Sequence, residues 1–158
     1  MFSIRDIINI AIQVEQNGER IYRAAAKKIS DSDLVLLMQW LADEEAAHIK
    51  WFENLKLQNN KVIDDQALEQ MGKDILLGVV GEQSFSLNSV DFSKPRDIDA
   101  LVAVAVEFEK DTVMFYEMLR PFVEDLLDVR QLDKIIAEEN SHIEKLQAIA
   151  DTGIPSEQ

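Results

Sequence analysis

The feature that most constrains this chain is an internal repeat. Sliding the sequence against itself by 94 residues aligns Ala11, Glu15 and Tyr22 with Ala105, Glu109 and Tyr116, and Glu44-Glu45-x-x-His48 with Glu138-Glu139-x-x-His142, without a gap. In each half the first Glu stands 30 residues before the Glu of the Glu-x-x-His. Two similar units therefore pack together. Their periodicity is helical, with apolar residues recurring at spacings of four and three. The spacing predicts helices over about 4–29, 34–58, 97–119 and 126–150. Ser3 is placed to cap the first, Asp31, Ser32 and Asp33 offer caps for the second, and Asp97 for the third. Pro121 stops the third, and Gly153 with Pro155 stops the fourth.

Short connections around residue 30 and around 121–124 force two antiparallel hairpins. Between them a crossover of about 59–96 carries a further helix, over 65–80 with Leu68, Met71, Ile75 and Leu76 on one face, followed by loop from 81 to 95. That connection is long enough for the second and third bundle helices to run parallel. The expected fold is all-α, one domain over 1–158, with hairpin 1 at about 3–58 and hairpin 2 at about 97–150. Only 5 Gly and 3 Pro argue against an architecture of many short strands.

Each helix has a seam that should face the bundle core. The four seams run Ile4, Ile8, Ala11, Glu15, Gly18, Tyr22, Ala25, Ile29; Leu34, Met38, Leu41, Glu45, His48, Phe52, Leu55; Ile98, Val102, Ala105, Glu109, Thr112, Tyr116, Leu119; and Leu132, Ile135, Glu139, His142, Leu146, Ile149. Every seam is interrupted by ionisable residues. Glu15 and Glu45 lie equally far from the first turn, and Glu109 and Glu139 equally far from the second. At 1.5 Å per residue each pair sits ~22 Å from its own turn, so four Glu and two His should converge at the middle of the bundle.

Four carboxylates gathered in a core are prohibitive unless something cancels their charge. Two divalent cations supply that charge, and the imidazoles add neutral ligands. Glu and His at i and i+3 share a helix face, so both reach one ion. The expected metal ligands are Glu15, Glu45, His48, Glu109, Glu139 and His142.

At this point the residues resemble a known family. Glu15, Glu45-x-x-His48, Glu109 and Glu139-x-x-His142 match the metal-binding pattern of the ferritin-like di-iron carboxylate superfamily, and within it of the rubrerythrin-type domain. The resemblance spans nearly the whole chain apart from the crossover and the last residues. It implies a four-helix bundle with one long crossover, two iron ions, a homodimer, and chemistry with hydrogen peroxide or dioxygen sustained by a separate electron donor. Two departures stand out. Rubrerythrins proper carry a rubredoxin domain with cysteine-held iron, and this chain has no Cys. They also carry one more ligand Glu, three residues after the helix-three ligand, where Thr112 stands here. Carboxylate and imidazole ligands also suit manganese or another divalent ion. The leading expectation is an oxidoreductase of peroxidase or ferroxidase type. Iron capture and oxidation without efficient turnover, or a purely structural metal pair, are the alternatives.

Other residues are read against plainer roles. Tyr22 and Tyr116 lie two turns after Glu15 and Glu109, and helical side chains lean toward the N-terminus. Their hydroxyls either support the site from behind its ligands or are simply satisfied in the core. Glu44 and Glu138 fall off the seam and read as solvated, and Glu107 reads as surface. Asp43 is placed to orient a ligand His, although Ala137 is its repeat counterpart. Trp40, Ala47 and Trp51, with Ile7, Ile10, Val14 and Ile21, form further apolar stripes, expected to make a homodimer interface or to lie under the crossover helix. A net charge of -14 excludes nucleic acid and anionic membrane as partners. No span of about 18 apolar residues is present, and the expected location is the cytoplasm.

Overall fold

The computed structural model describes residues 2–58, 62–63, 65–81 and 95–152. Among the described residues the secondary structure is helical apart from one short strand pairing. Five α-helices follow one another: α1 (Ile4–Lys28), α2 (Ser32–Gln58), α3 (Gln66–Gly81), α4 (Pro95–Leu119) and α5 (Leu126–Thr152). A single 3-10 turn, Arg120–Phe122, links α4 to α5. The predicted loop before α4 and the Gly153 and Pro155 stop signals lie outside the described residues.

Local chemistry sets the helix starts. Ser3 caps α1 through a reciprocal box: its hydroxyl accepts from the Asp6 amide at 3.2 Å, and its own amide donates to Asp6 Oδ2 at 2.8 Å. Of the three residues placed to cap α2, Asp31 accepts the Leu34 amide at 2.9 Å. Asp65 does the same for α3 toward Leu68, and Asp125 for α5 toward Asp128. One cap differs from expectation. α4 begins at Pro95, so Asp97 lies within its first turn; proline suits the first helical position because its fixed φ is helical and its missing N–H would have no partner there.

α1 packs along α2 and α4 along α5, while α3 lies against both α1 and α4. Cross-helix contacts give the directions. Tyr22 meets Glu109 while Tyr116 meets Glu15, so α1 and α4 run oppositely. His48 meets Glu139 while His142 meets Glu45, so α2 and α5 do too. With each hairpin antiparallel, α2 and α4 are parallel, as the long crossover allows.

All the seam residues are buried. They form two apolar clusters toward the two ends of the bundle. One gathers Ile4, Ile8, Ala11, Phe52, Tyr116, Leu119, Leu132 and Ile135, and the other Tyr22, Ala25, Leu34, Met38, Leu41, Val102, Leu146 and Ile149. The polar side chains lie in the layer between.

The α1 stripe is not an open face. Ile7, Ile10 and Val14 are buried within the chain, and α3 lies on that side. The contact is close enough that a Cβ added at Gly72 would stand 2.8 Å from Ile10 Cγ2. The crossover helix thus lies over Ile7, Ile10 and Val14 of the α1 stripe, with Leu68 buried and Met71 packed against the cluster, while Trp40 and Ala47 of the α2 stripe stay exposed; the side chains of Ile75 and Leu76 lie outside the described part. The strand pairing, absent from the sequence reading, joins Phe2–Ser3 to Val62–Ile63 antiparallel and ties the start of α1 to the crossover.

Candidate metal centre

The six expected ligands come together. α1 supplies Glu15, α2 Glu45 and His48, α4 Glu109, and α5 Glu139 and His142. None is more than 2% exposed, so they form a closed polar layer inside the apolar bundle.

The centre divides into two overlapping quartets. One ligand atom from each of Glu15, Glu45, His48 and Glu139 lies within 4.8 Å of the others, and the same holds for Glu45, Glu109, Glu139 and His142. Glu45 and Glu139 belong to both. Glu139 turns Oε1 to His48 Nδ1 and Oε2 to His142 Nδ1, each at 2.9 Å. Glu45 likewise points Oε2 at His48 Nδ1, 3.8 Å away, and Oε1 at His142 Nδ1, 3.4 Å away. Glu15 Oε2 serves only the first position, 3.5 Å from His48, and Glu109 Oε1 only the second, 3.6 Å from His142. The Glu of each Glu-x-x-His is therefore placed to bridge, and the lone Glu of each half is terminal. Sequence spacing did not separate these roles, because all four share one height.

Both tyrosines meet the terminal carboxylates, and they do so crosswise. Tyr22 on α1 donates to Glu109 Oε1 of α4 at 2.5 Å, and Tyr116 on α4 donates to Glu15 Oε1 of α1. Burial, then the charge of the partner carboxylate, holds both phenols well above their ordinary range, so they stay protonated donors.

Protonation expresses the crowding of charge. Burial first, then the charges of the neighbouring glutamates, pushes Glu45 well above the carboxylate range and Glu139 up to about 8. Burial pushes Glu15 up as well, but its close polar approach to Glu45 and the charge of His48 outweigh it and bring the group below its ordinary value. Glu109 is lowered against burial by its close polar approach to His142 and Glu139 and by the charge of His142. Burial disfavours both imidazolium ions, yet the surrounding carboxylates overcome it: His48 is raised far above its ordinary value, and His142 to about 12. Without a cation the centre must retain protons to neutralise itself.

Orphaned atoms test whether metal fits. Glu15 Oε2, Glu45 Oε1, Glu109 Oε2, both Glu139 oxygens and both histidine Nδ1 atoms are buried without a hydrogen-bond partner among the described residues. The 2.9 Å approaches of Glu139 to the imidazoles are close but not aligned as hydrogen bonds. Leaving one such group unpaired costs about 1–3 kcal/mol, and here they converge on two points. Two divalent cations would satisfy them and balance four carboxylates. Oxygen and imidazole donors from paired helices are the set used by di-iron and di-manganese bundles.

Residues around the ligands depart from expectation. Glu138 is not merely solvated: its Oε2 lies 2.8 Å from His48 Nε2. The repeat held the signal, since Glu138 precedes a ligand Glu on a helix antiparallel to the one that carries His48. Glu44 is half-buried and shares a group with His48 and Glu138, their ligand-type atoms lying within 4.8 Å. Asp43 orients no histidine; it is exposed and accepts from Arg23 at 3.1 Å. Glu107 is at the surface, 3.8 Å from Lys110. Thr112 turns its hydroxyl back to the Phe108 carbonyl at 2.8 Å. Trp40 and His142 make a T-shaped pair, ring centroids 5.3 Å apart, and Trp51 packs against Phe52.

A helical bundle with a buried four-Glu, two-His centre defines the ferritin-like carboxylate class. The rubrerythrin family profile matches residues 6–150, and the chain belongs to that family. Its fold is similar to that of a Thermotoga maritima protein described as a ferritin-like diiron-carboxylate protein (TM-score 0.73, 19% identity, 96% of each chain covered). It is also similar to a hypothetical protein from Pyrococcus furiosus (TM-score 0.71, 20% identity, 95% of this chain and 89% of that one). No curated protein sequence matches it. Among the described residues no helix is long and apolar enough to cross a membrane.

Proposed function

We propose that this chain holds two iron ions in the centre and is an oxidoreductase toward hydrogen peroxide or dioxygen, reset by a separate electron donor. The observation that carries the reading is the pair of overlapping quartets with Glu45 and Glu139 common to both. Glu15 and His48 would complete one position, Glu109 and His142 the other. Iron ions held by these residues would supply the electrons that reduce the oxidant. The chain's own part is to bring the ions together under two shared carboxylates, to fix the terminal carboxylates through Tyr22 and Tyr116, and to keep bulk water out with the apolar clusters on either side. The protonated Tyr22 and Tyr116 hydroxyls are the nearest buried O–H donors to the terminal ligands.

A second reading, ferrous iron capture and oxidation without efficient turnover, is favoured by Thr112. Its hydroxyl is committed to its own helix, so it adds no ligand where rubrerythrins proper have a carboxylate. With no Cys, the sequence given holds no thiolate relay to re-reduce the centre.

One experiment separates these. The protein is reconstituted anaerobically with ferrous iron, mixed with peroxide in a stopped-flow cell, and then given a rubredoxin-type donor with its reductase. Two irons per chain, a diferric absorption band and repeated cycling with the donor support the oxidoreductase. A single oxidation that the donor does not reverse supports capture. Absence of any diferric band leaves only a structural metal pair, and at most a trace of iron after reconstitution overturns the site itself.

A further inference from the structure

The repeat gives the two histidines equivalent places, but the structure does not treat them alike. Each turns Nδ1 toward the carboxylates, so each must keep its proton on Nε2 to offer a lone pair to a cation. His48 Nε2 has an acceptor for that proton, Glu138 Oε2 at 2.8 Å. His142 Nε2 is buried and has no hydrogen-bond partner among the described residues. Beside His142 stands Trp40, the two ring planes 80° apart, and its indole nitrogen is a donor only and so offers no lone pair to the Nε2–H.

The sequence explains the difference. Glu44 is the repeat counterpart of Glu138, and by symmetry it would serve His142. Instead it gathers with Glu138 at His48. Trp40 occupies the position that corresponds to Lys134. Lys134 Nζ lies 3.7 Å from Glu138 Oε1, a cation beside the carboxylate that serves His48. Trp40 places an apolar ring where the other half has that cation.

We propose that Glu138 is a positioning residue: it fixes His48 with Nε2 protonated and Nδ1 free, which makes the two metal positions unequal, the His48 position binding first and more tightly. The inference rests on the two-ion reading above and adds an order of filling to it. A carboxylate behind a ligating histidine fixes the tautomer and raises the basicity of the ligating nitrogen. His142 lacks that support and must meet the second ion with its Nε2–H unpaired.

The test is an anaerobic titration of the metal-free chain with Co(II), followed by calorimetry and by visible absorption, on the parent and on Glu138→Ala, Glu138→Gln and Glu44→Ala. The parent should bind two ions in distinct steps. Glu138→Ala should weaken the first step by about 10–100-fold, the usual range for loss of such a support. Glu138→Gln should lose less, because an amide oxygen still accepts from Nε2–H, and Glu44→Ala should weaken the first step less than Glu138→Ala does. With two histidines in the chain, nitrogen-15 spectra of the Zn(II)-loaded protein give a second readout. The His48 Nε2–H should exchange slowly with water, and Glu138→Ala alone should abolish that protection. Two equal steps in the parent, or an unchanged first step in Glu138→Ala, would overturn the proposal while leaving the two-ion site standing. A third bound ion, lost in both Glu138→Ala and Glu44→Ala, would also overturn it by making that group a cation site. A parent chain that binds no ion would remove the two-ion reading together with the inference.

Discussion

Hairpin α1–α2 and hairpin α4–α5 present the same three ligands at the same height, while the positions one turn away differ: Gly18 against Thr112, and Trp40 against Lys134. At Gly18 a Cβ would stand 3.1 Å from the Phe108 ring and 3.5 Å from the Glu45 carboxyl carbon, so the first hairpin uses the missing side chain to let α4 and a bridging carboxylate close in. At Thr112 the second hairpin keeps a small polar side chain and turns it onto the helix backbone. The expected ligands are alike in the two halves, as two cations of equal charge would require. Their neighbours answer only to local packing; α3 does not set the difference, since it lies against one helix of each hairpin, α1 and α4. A duplicated site can therefore keep its ligands symmetric and still make its halves unequal.

The largest effects should come from the bridging carboxylates, where the two hairpins are most alike. Glu45→Ala and Glu139→Ala should each lose at least one metal ion while the bundle still folds, and by similar amounts. Metal analysis after reconstitution checks this; a mutant that retains both ions would take its residue off the ligand set. Next comes metal removal. An ion present at a hundred times its Kd adds about 2.7 kcal/mol of stability, or about 5–10 °C in melting temperature for a chain of this size. Calorimetric scans with and without chelator should show that loss. An unchanged Tm would mean that the centre is not coupled to folding.

The pH response of the metal-free protein follows from Glu139 and His142. Glu139 is raised to about 8 from an ordinary 4.5, so between those values the folded chain holds a proton that the unfolded chain has released. His142 is raised to about 12, so its contribution is complete below 6.5 and is lost as pH rises from there. Both make stability fall with rising pH, by at most about 1.4 kcal/mol per pH unit for each proton. Glu15 and Glu109, held below 4.5, act oppositely: their contribution is present above that value and is lost as pH falls. The metal-free Tm should therefore decline between pH 6.5 and 8, while metal affinity rises over the same range because binding displaces protons. A flat profile would show that the centre is hydrated.

Smaller effects should sharpen the comparison. Tyr22→Phe and Tyr116→Phe each remove a hydrogen bond to a buried carboxylate, worth about 1.5–3 kcal/mol, and crosswise pairing predicts equal losses. Unequal values in denaturant titrations would show that the two terminal glutamates differ. Smallest is Thr112→Ala, which breaks only a bond to its own helix and should change stability by less than about 1 kcal/mol, leaving metal stoichiometry intact. Loss of an ion there would bring Thr112 into the centre.

The sequence alone determined the bundle, its two hairpins and the six residues at its centre. Periodicity and repeat are carried by spacing along one chain, and a polar residue on an apolar seam has nowhere to go but inward. It also carried the crossover helix, whose span it placed within one residue at each end. Only the tertiary structure decided what depends on how one helix faces another. It made Glu45 and Glu139 the shared carboxylates, crossed each tyrosine to the opposite hairpin, laid α3 over the stripe of Ile7, Ile10 and Val14, and sent Glu138 to His48 while Trp40 took the place beside His142. Those choices turn on angstroms of helix rotation and on competition between nearly equivalent partners, and a repeat that writes the same letters twice cannot say which copy prevails.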